Sequence, residues 1–102
     1  MGRATIYVFA KPPRAGVAKT RLAVSVGADV AATYARAFLH DVWDVVARVP
    51  SADAVLAVTE NDMEAYGLGD DIETVLQGEG DLGVRMARVL ALGLSRGDKA
   101  II

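Results

Sequence analysis

The sequence predicts an α/β domain with a mostly parallel sheet and helices on its flanks. Three observations carry that prediction. β-Branched or aliphatic runs with no polar break recur at 5–10 and 54–59 and begin again at Lys99, the pattern of strands covered on both faces. Between the first two runs lies one long stretch of helical periodicity, 29–49, enough to cross over between parallel strands. With 53% hydrophobic residues, 24% charged residues and three prolines in 102 positions, the composition is that of one globular domain, not of a disordered or collagen-like chain.

Each element follows from its residues. Ile6, Tyr7, Val8 and Phe9 make 5–10 a central strand. Residues 11–22 form a basic loop, because Pro12 and Pro13 remove backbone donors and Gly16 permits a tight path. In 29–49 the apolar residues Ala31, Tyr34, Ala35, Phe38, Val42, Val45, Val46 and Val49 recur at helical spacing, so this stripe is expected to face the core. Asp29 caps or charges the helix start, and Pro50 with Ser51 stops it. Tyr34 and Trp43 are spaced as packing residues, and His40, beside Asp41, reads as a surface position. Residues 54–59 repeat the buried-strand pattern. Asn61 and Glu64 have capping-box spacing for a short helix that Gly67 and Gly69 end. Residues 73–76 read as a third strand. Asp81 then caps a helix whose stripe is Leu82, Met86, Val89, Leu90, Gly93 and Leu94, with Gly97 at its end. The run from Lys99 starts like another buried strand and stops at Ile102 without a turn residue, so the chain is expected to be cut inside a strand.

Charge and composition narrow the function classes. Eleven Lys and Arg against 13 Asp and Glu leave a net charge of −2, which predicts no nucleic-acid partner. The absence of cysteine excludes disulfides, thiolate metal sites and cysteine nucleophiles, and a single histidine excludes a His-pair metal site. The apolar run before Lys11 is too short for a signal peptide, and no run approaches the roughly 20 residues needed to cross a bilayer. A cytoplasmic protein without membrane contact is expected. Asp70 and Asp71 lie in a glycine-flanked turn and read as solvated.

The chemistry concentrates in the first loop, where Lys11, Arg14, Lys19 and Arg21 place four cations within eleven positions of a net acidic chain. In an open α/β sheet this loop lies at the carboxyl ends of the strands, where ligands bind. Gathered cations repel one another, and a ligand with several phosphate oxygens relieves that repulsion through charge-assisted hydrogen bonds. The loop is not a Walker A motif: the residue before Lys19 is Ala18 and the position five residues earlier is Pro13, where that motif needs glycines. It also has no Gly-x-Gly for a dinucleotide fingerprint.

Two stretches together, FAKPPRAGVAKTRL and QGEGDLGVRM, resemble the signature pair of the nucleotide-diphospho-sugar transferase superfamily. They resemble most a bacterial glycosyltransferase-like family related to 2-phospholactate guanylyltransferase and, more distantly, to molybdenum cofactor guanylyltransferase. The likeness runs from Ile6 to Ile102. It implies the N-terminal half of a glycosyltransferase-A-type fold with a Rossmann-like sheet. It implies that Lys11, Arg14 and Lys19 face a nucleotide's phosphates, with Gly16 letting the backbone approach. Arg21 either joins them or anchors the loop to an acidic residue. The likeness further implies that Ala10, Gln77, Gly80, Asp81, Leu82 and Gly83 line the base and ribose pocket. From the residues alone Asp81 reads equally as a helix cap, Gly83 as a close-packing position, and Arg85 as reaching either a phosphate or solvent.

The resemblance implies a Mg2+ ion as cofactor, held by an aspartate of a Gly-x-Asp segment that would follow Ile102, so no metal ligand is expected within these residues and the 102-residue piece is not expected to catalyse by itself. The function so implied is the nucleotide-binding portion of a transferase that moves a glycosyl or nucleotidyl group from a nucleotide-sugar or nucleoside triphosphate to an acceptor. The alternative is a non-catalytic nucleotide-binding or assembly module on the same scaffold, with an open sheet edge through which copies pair into a homo-oligomer.

Overall fold

The computed structural model describes residues 4–13, 27–69 and 71–95, and the backbone of 99–101. In chain order the elements are β1 (Ala4–Ala10), α1 (Ala28–Ala47), β2 (Ala52–Val58), α2 (Met63–Tyr66), β3 (Thr74–Leu76), α3 (Leu82–Ser95) and β4 (Lys99–Ile101). The strands form one sheet in the order β3-β2-β1-β4, and every pair is parallel. β1 and β2 are paired along their whole length, from Ala4 opposite Ala52 to Ala10 opposite Val58. The parallel α/β sheet read from the sequence is the fold observed.

Side-chain alternation divides the core into two layers. Tyr7, Val55 and Ala57 point to one face and pack against Val89 of α3, with Phe9 and Val75 at their margin. Leu56 and Val58 point to the other and pack against Leu39 of α1 and Tyr66 of α2, with Val8, Ala10 and Trp43 beside them. Because both faces of β2 are covered, Val55, Leu56, Ala57 and Val58 are all fully buried. On β1 only Thr5 and Tyr7 are fully buried, while Ile6, Val8 and Ala10 are half-buried.

Local expectations on α1 and α2 are corrected. The stripe of α1 is rotated: Leu39, absent from the expected set, is buried, whereas Tyr34, Phe38 and Val45 are 58%, 61% and 69% exposed. The seam that meets the sheet is Ala31, Ala35, Leu39, Val42 and Val46, in which two alanines let the helix backbone come close. Apolar residues cover so much of this helix that periodicity alone does not choose between neighbouring stripes. Tyr34 is therefore a surface residue and not a packing one, while Trp43 is half-buried against the Leu39 cluster and His40 is exposed. The start of α1 carries Gly27 at the cap and no side-chain cap bond, with Asp29 inside the first turn. At α2 the cap position is Asp62, not Asn61, again without a side-chain cap bond. Gly67 ends α2 in the left-handed region, φ 71°, which only glycine enters freely.

On α3 the inward residues are Val89 and Gly93, with Met86 and Leu90 half-buried, and Leu82 and Leu94 are exposed. Gly97 and the side chains of 99–102 lie outside the described residues. Among the described residues no helix is long and apolar enough to cross a membrane.

Candidate functional site

The strand order locates the crevice. The chain runs outward from β1 through β2 to β3 and then returns to place β4 on the far side of β1. The long helix α1 packs on one face and α3 on the other, so the elements part at the carboxyl end of β1, where open α/β sheets bind ligands. Lys11 is the first residue beyond that end and is exposed, and Pro12 and Pro13 behind it are buried.

A cleft of about 330 Å3 opens there, lined by Phe9, Ala10, Lys11, Gln77, Leu82, Arg85 and Met86. Its walls are the end of β1 and the first two turns of α3, and its floor is Gln77, immediately after β3. A second cavity of about 240 Å3 lies on the α1 side of β1, lined by Val8, Phe9, Ala10, Lys11, Ala35, Phe38, Leu39 and Val42. Among the described residues Lys11 is the one polar side chain of that second cavity, whereas the first brings together Lys11, Gln77 and Arg85 among apolar walls. Convergent polar groups in an apolar cleft are the mark of a ligand site, so the cleft against α3 is the candidate.

Gln77 organises this cleft. Its backbone N–H donates to Val58 O at 2.9 Å, extending the β2–β3 ladder by one rung. Its side chain is 2% exposed. The amide Nε2 donates to Ala57 O at 2.8 Å and to Ala10 O at 3.3 Å, tying the ends of β2 and β1 to the residue that follows β3. The amide oxygen Oε1 accepts from Arg85 Nη1 at 2.7 Å, and the carbonyl of Gln77 accepts from Arg88 Nη1 at 2.7 Å. Two carbonyls on one side of the amide and a guanidinium on the other admit only this orientation of the side chain.

The guanidinium of the cleft has neutral partners. Arg85 also donates from Nε to Asp81 O at 3.4 Å, so both of its acceptors are uncharged amide oxygens. Among the described residues neither Lys11 nor Arg85 has a carboxylate ion-pair partner. A half-buried guanidinium and an ammonium with no counter-charge among the described residues make the cleft attractive to anions.

The remaining residues expected at the site fall as follows. Asp81 Oδ1 accepts from Val84 N at 2.9 Å, so it caps α3 and leaves the terminus of that helix formed beside the cleft. Leu82 forms part of the wall. Gly80 has φ 111° and Gly78 φ 81°; a Cβ on Gly78 would strike the Arg88 guanidinium, so glycine there permits the Arg88 contact to Gln77. Gly83 is in open surroundings: a Cβ there would meet only Asp81, at an ordinary 3.5 Å, so no close approach of another element requires it. Arg14, Gly16, Lys19 and Arg21 lie outside the described residues, as does Asp70 of the acidic turn, and Asp71 is exposed. Among the described residues no three of His, Asp and Glu come together to hold a metal ion. A cleft walled by two cations does not fit a divalent cation either.

Arg88 was not singled out by the sequence, and the link from Arg85 to Gln77 was not foreseen. The usable signal is spacing: Arg85 and Arg88 sit one turn apart on α3 and share a face, which the capped start of the helix turns toward the end of β3.

A crystal structure of a candidate nucleotide-diphospho-sugar transferase from Desulfovibrio desulfuricans G20 superposes on this chain with a TM-score of 0.84. The two are 32% identical over 96% of this chain and 44% of that one. The chain thus has the fold of that protein and spans less than half of its length. No protein-family model matches the chain, and no curated protein matches it significantly.

Proposed function

We propose, from a chain with the fold of a nucleotide-diphospho-sugar transferase, that it binds the nucleotide of a transferase that moves a glycosyl or nucleotidyl group to an acceptor. The observation that supports this reading is the cleft at the carboxyl end of β1, where Lys11 and Arg85 present positive charge with no carboxylate partner among the described residues. Nucleotide phosphates satisfy such a cleft, and Phe9, Ala10, Leu82 and Met86 offer apolar surface to the nucleoside.

Transfer of this kind depends on positioning and on stabilising charge at the phosphates. Lys11 supplies part of that charge from the sheet side. Arg14 and Lys19 would add to it from the loop, with Gly16 letting the backbone come close, and Arg21 would either join them or anchor the loop. Mg2+ as cofactor would supply further charge neutralisation, with ligands other than the described residues.

The test is calorimetric titration of the 102-residue chain with GTP, UTP, CTP, ATP and UDP-glucose, each with and without Mg2+. Saturable binding that favours one base supports the reading and names the donor. A folded chain that binds none of the five at millimolar concentration refutes it.

A further inference from the structure

We infer that Arg85 is the anion-contacting residue of the cleft and that Gln77 is its positioning residue, not a reader of the base. The inference deepens the proposed function and rests on the same cleft. Gln77 lines the ligand site, yet its side chain has nothing left to donate. Both amide hydrogens go to Ala57 O and Ala10 O, and Oε1 is taken by Arg85. A residue 2% exposed with its donors committed to the sheet selects a base poorly, but it holds a guanidinium well. Through Gln77 the position of Arg85 is fixed to the carboxyl ends of β1 and β2, the same rim that carries Lys11.

The donor count points the same way. A guanidinium has five N–H groups. Nε is directed at Asp81 O, and one hydrogen of Nη1 goes to Gln77 Oε1. The other N–H groups belong to a half-buried side chain that lines the same cleft as Lys11. Neither acceptor neutralises the charge. A guanidinium pre-oriented in this way loses little freedom when it meets a phosphate. The ligand feature recognised here is therefore a phosphoryl or diphosphoryl group held between Lys11 and Arg85, and the nucleoside contributes through the apolar walls.

The experiment titrates the folded chain with inorganic pyrophosphate by calorimetry, alongside melting temperatures, for the wild type, Arg85→Gln, Arg85→Lys, Gln77→Leu and the double variant Gln77→Leu/Arg85→Gln. Arg85→Gln is expected to weaken pyrophosphate binding about tenfold or more. Arg85→Lys should recover most of that loss by restoring the charge, a rescue that a purely structural role does not give. Gln77→Leu should weaken binding by about three- to tenfold. The double variant should bind no more weakly than Arg85→Gln alone, because Gln77 acts only through Arg85.

An unchanged affinity in Arg85→Gln overturns the inference, as does a wild type that does not bind pyrophosphate. Additive losses in the double variant overturn the positioning role of Gln77. Should Gln77→Leu fail to fold, the two Arg85 variants, at a half-exposed position, decide the anion contact. Arg85-dependent pyrophosphate binding to which no nucleoside adds affinity upholds this inference and overturns the nucleotide reading. Nucleotide binding indifferent to Arg85 does the reverse.

Discussion

Tyr7 and Tyr66 offer one substitution with two opposite expectations. Tyr7 is 1% exposed and Tyr66 is fully buried, so their rings contribute comparably to the two core layers. Their hydroxyls differ. Tyr66 Oη accepts from Thr59 N at 3.2 Å, whereas Tyr7 Oη is buried without a hydrogen-bond partner among the described residues. An unpartnered buried hydroxyl carries a desolvation cost of about 1–3 kcal/mol, and a made hydrogen bond contributes about 0.5–1.5 kcal/mol. Tyr7→Phe keeps the ring against Val55, Ala57 and Val89 and removes the cost. It should stabilise the chain by about 1 kcal/mol, which in a domain of this size raises Tm by about 4–8 °C. Tyr66→Phe strands the Thr59 amide and should lower stability by about 0.5–1.5 kcal/mol. Urea and thermal unfolding followed by circular dichroism, with an unchanged denaturant slope as the control, read both. A Tyr7→Phe chain less stable than wild type would show that this hydroxyl is bonded and that the reasoning from its isolation is wrong.

Two further comparisons test the packing and the cleft wall. Leu39→Ala should cost about 2–5 kcal/mol, while Val45→Ser, on the same helix and mostly exposed, should change stability by less than about 0.5 kcal/mol. Equal losses in unfolding experiments would restore the stripe first read from the sequence. Asp81→Ala removes the bond to Val84 N and should destabilise α3 by about 0.5–2 kcal/mol, with Asp81→Asn close to wild type; a wild-type melting curve for Asp81→Ala would exclude the cap.

Order and type of elements were legible because the signals are local. The unbroken apolar runs of β1 and β2, the helical period of 29–49 and the glycine at 67 each act within a few residues. What failed depends on which neighbour is present. Nothing local distinguishes Leu39 from Phe38, since both lie on an apolar side of α1. The sheet alone chooses between them, by seating Leu56 and Val58 against the seam that begins with Ala31. The cap of α2 failed similarly: Asn61 and Glu64 have the right spacing, but the helix starts at Met63, one residue later than that spacing requires.

Of the candidate cleft, the position in the fold was legible in the sequence and the internal contacts were not. A basic residue at the end of a first parallel strand and an Asp-capped helix after the third can be read along the chain, and both lie where they were expected. The contact between them joins residues far apart. Gln77 Nε2 reaches back 67 positions to Ala10 O, and only the parallel register of β1 with β2 brings Ala10 beside Val58, whose carbonyl holds the Gln77 backbone. A glutamine after a short strand looks in sequence like a polar residue free to meet a ligand. Once the register closes, its amide is the most constrained polar group at the rim, and the freedom to meet a ligand passes to the arginine that it holds.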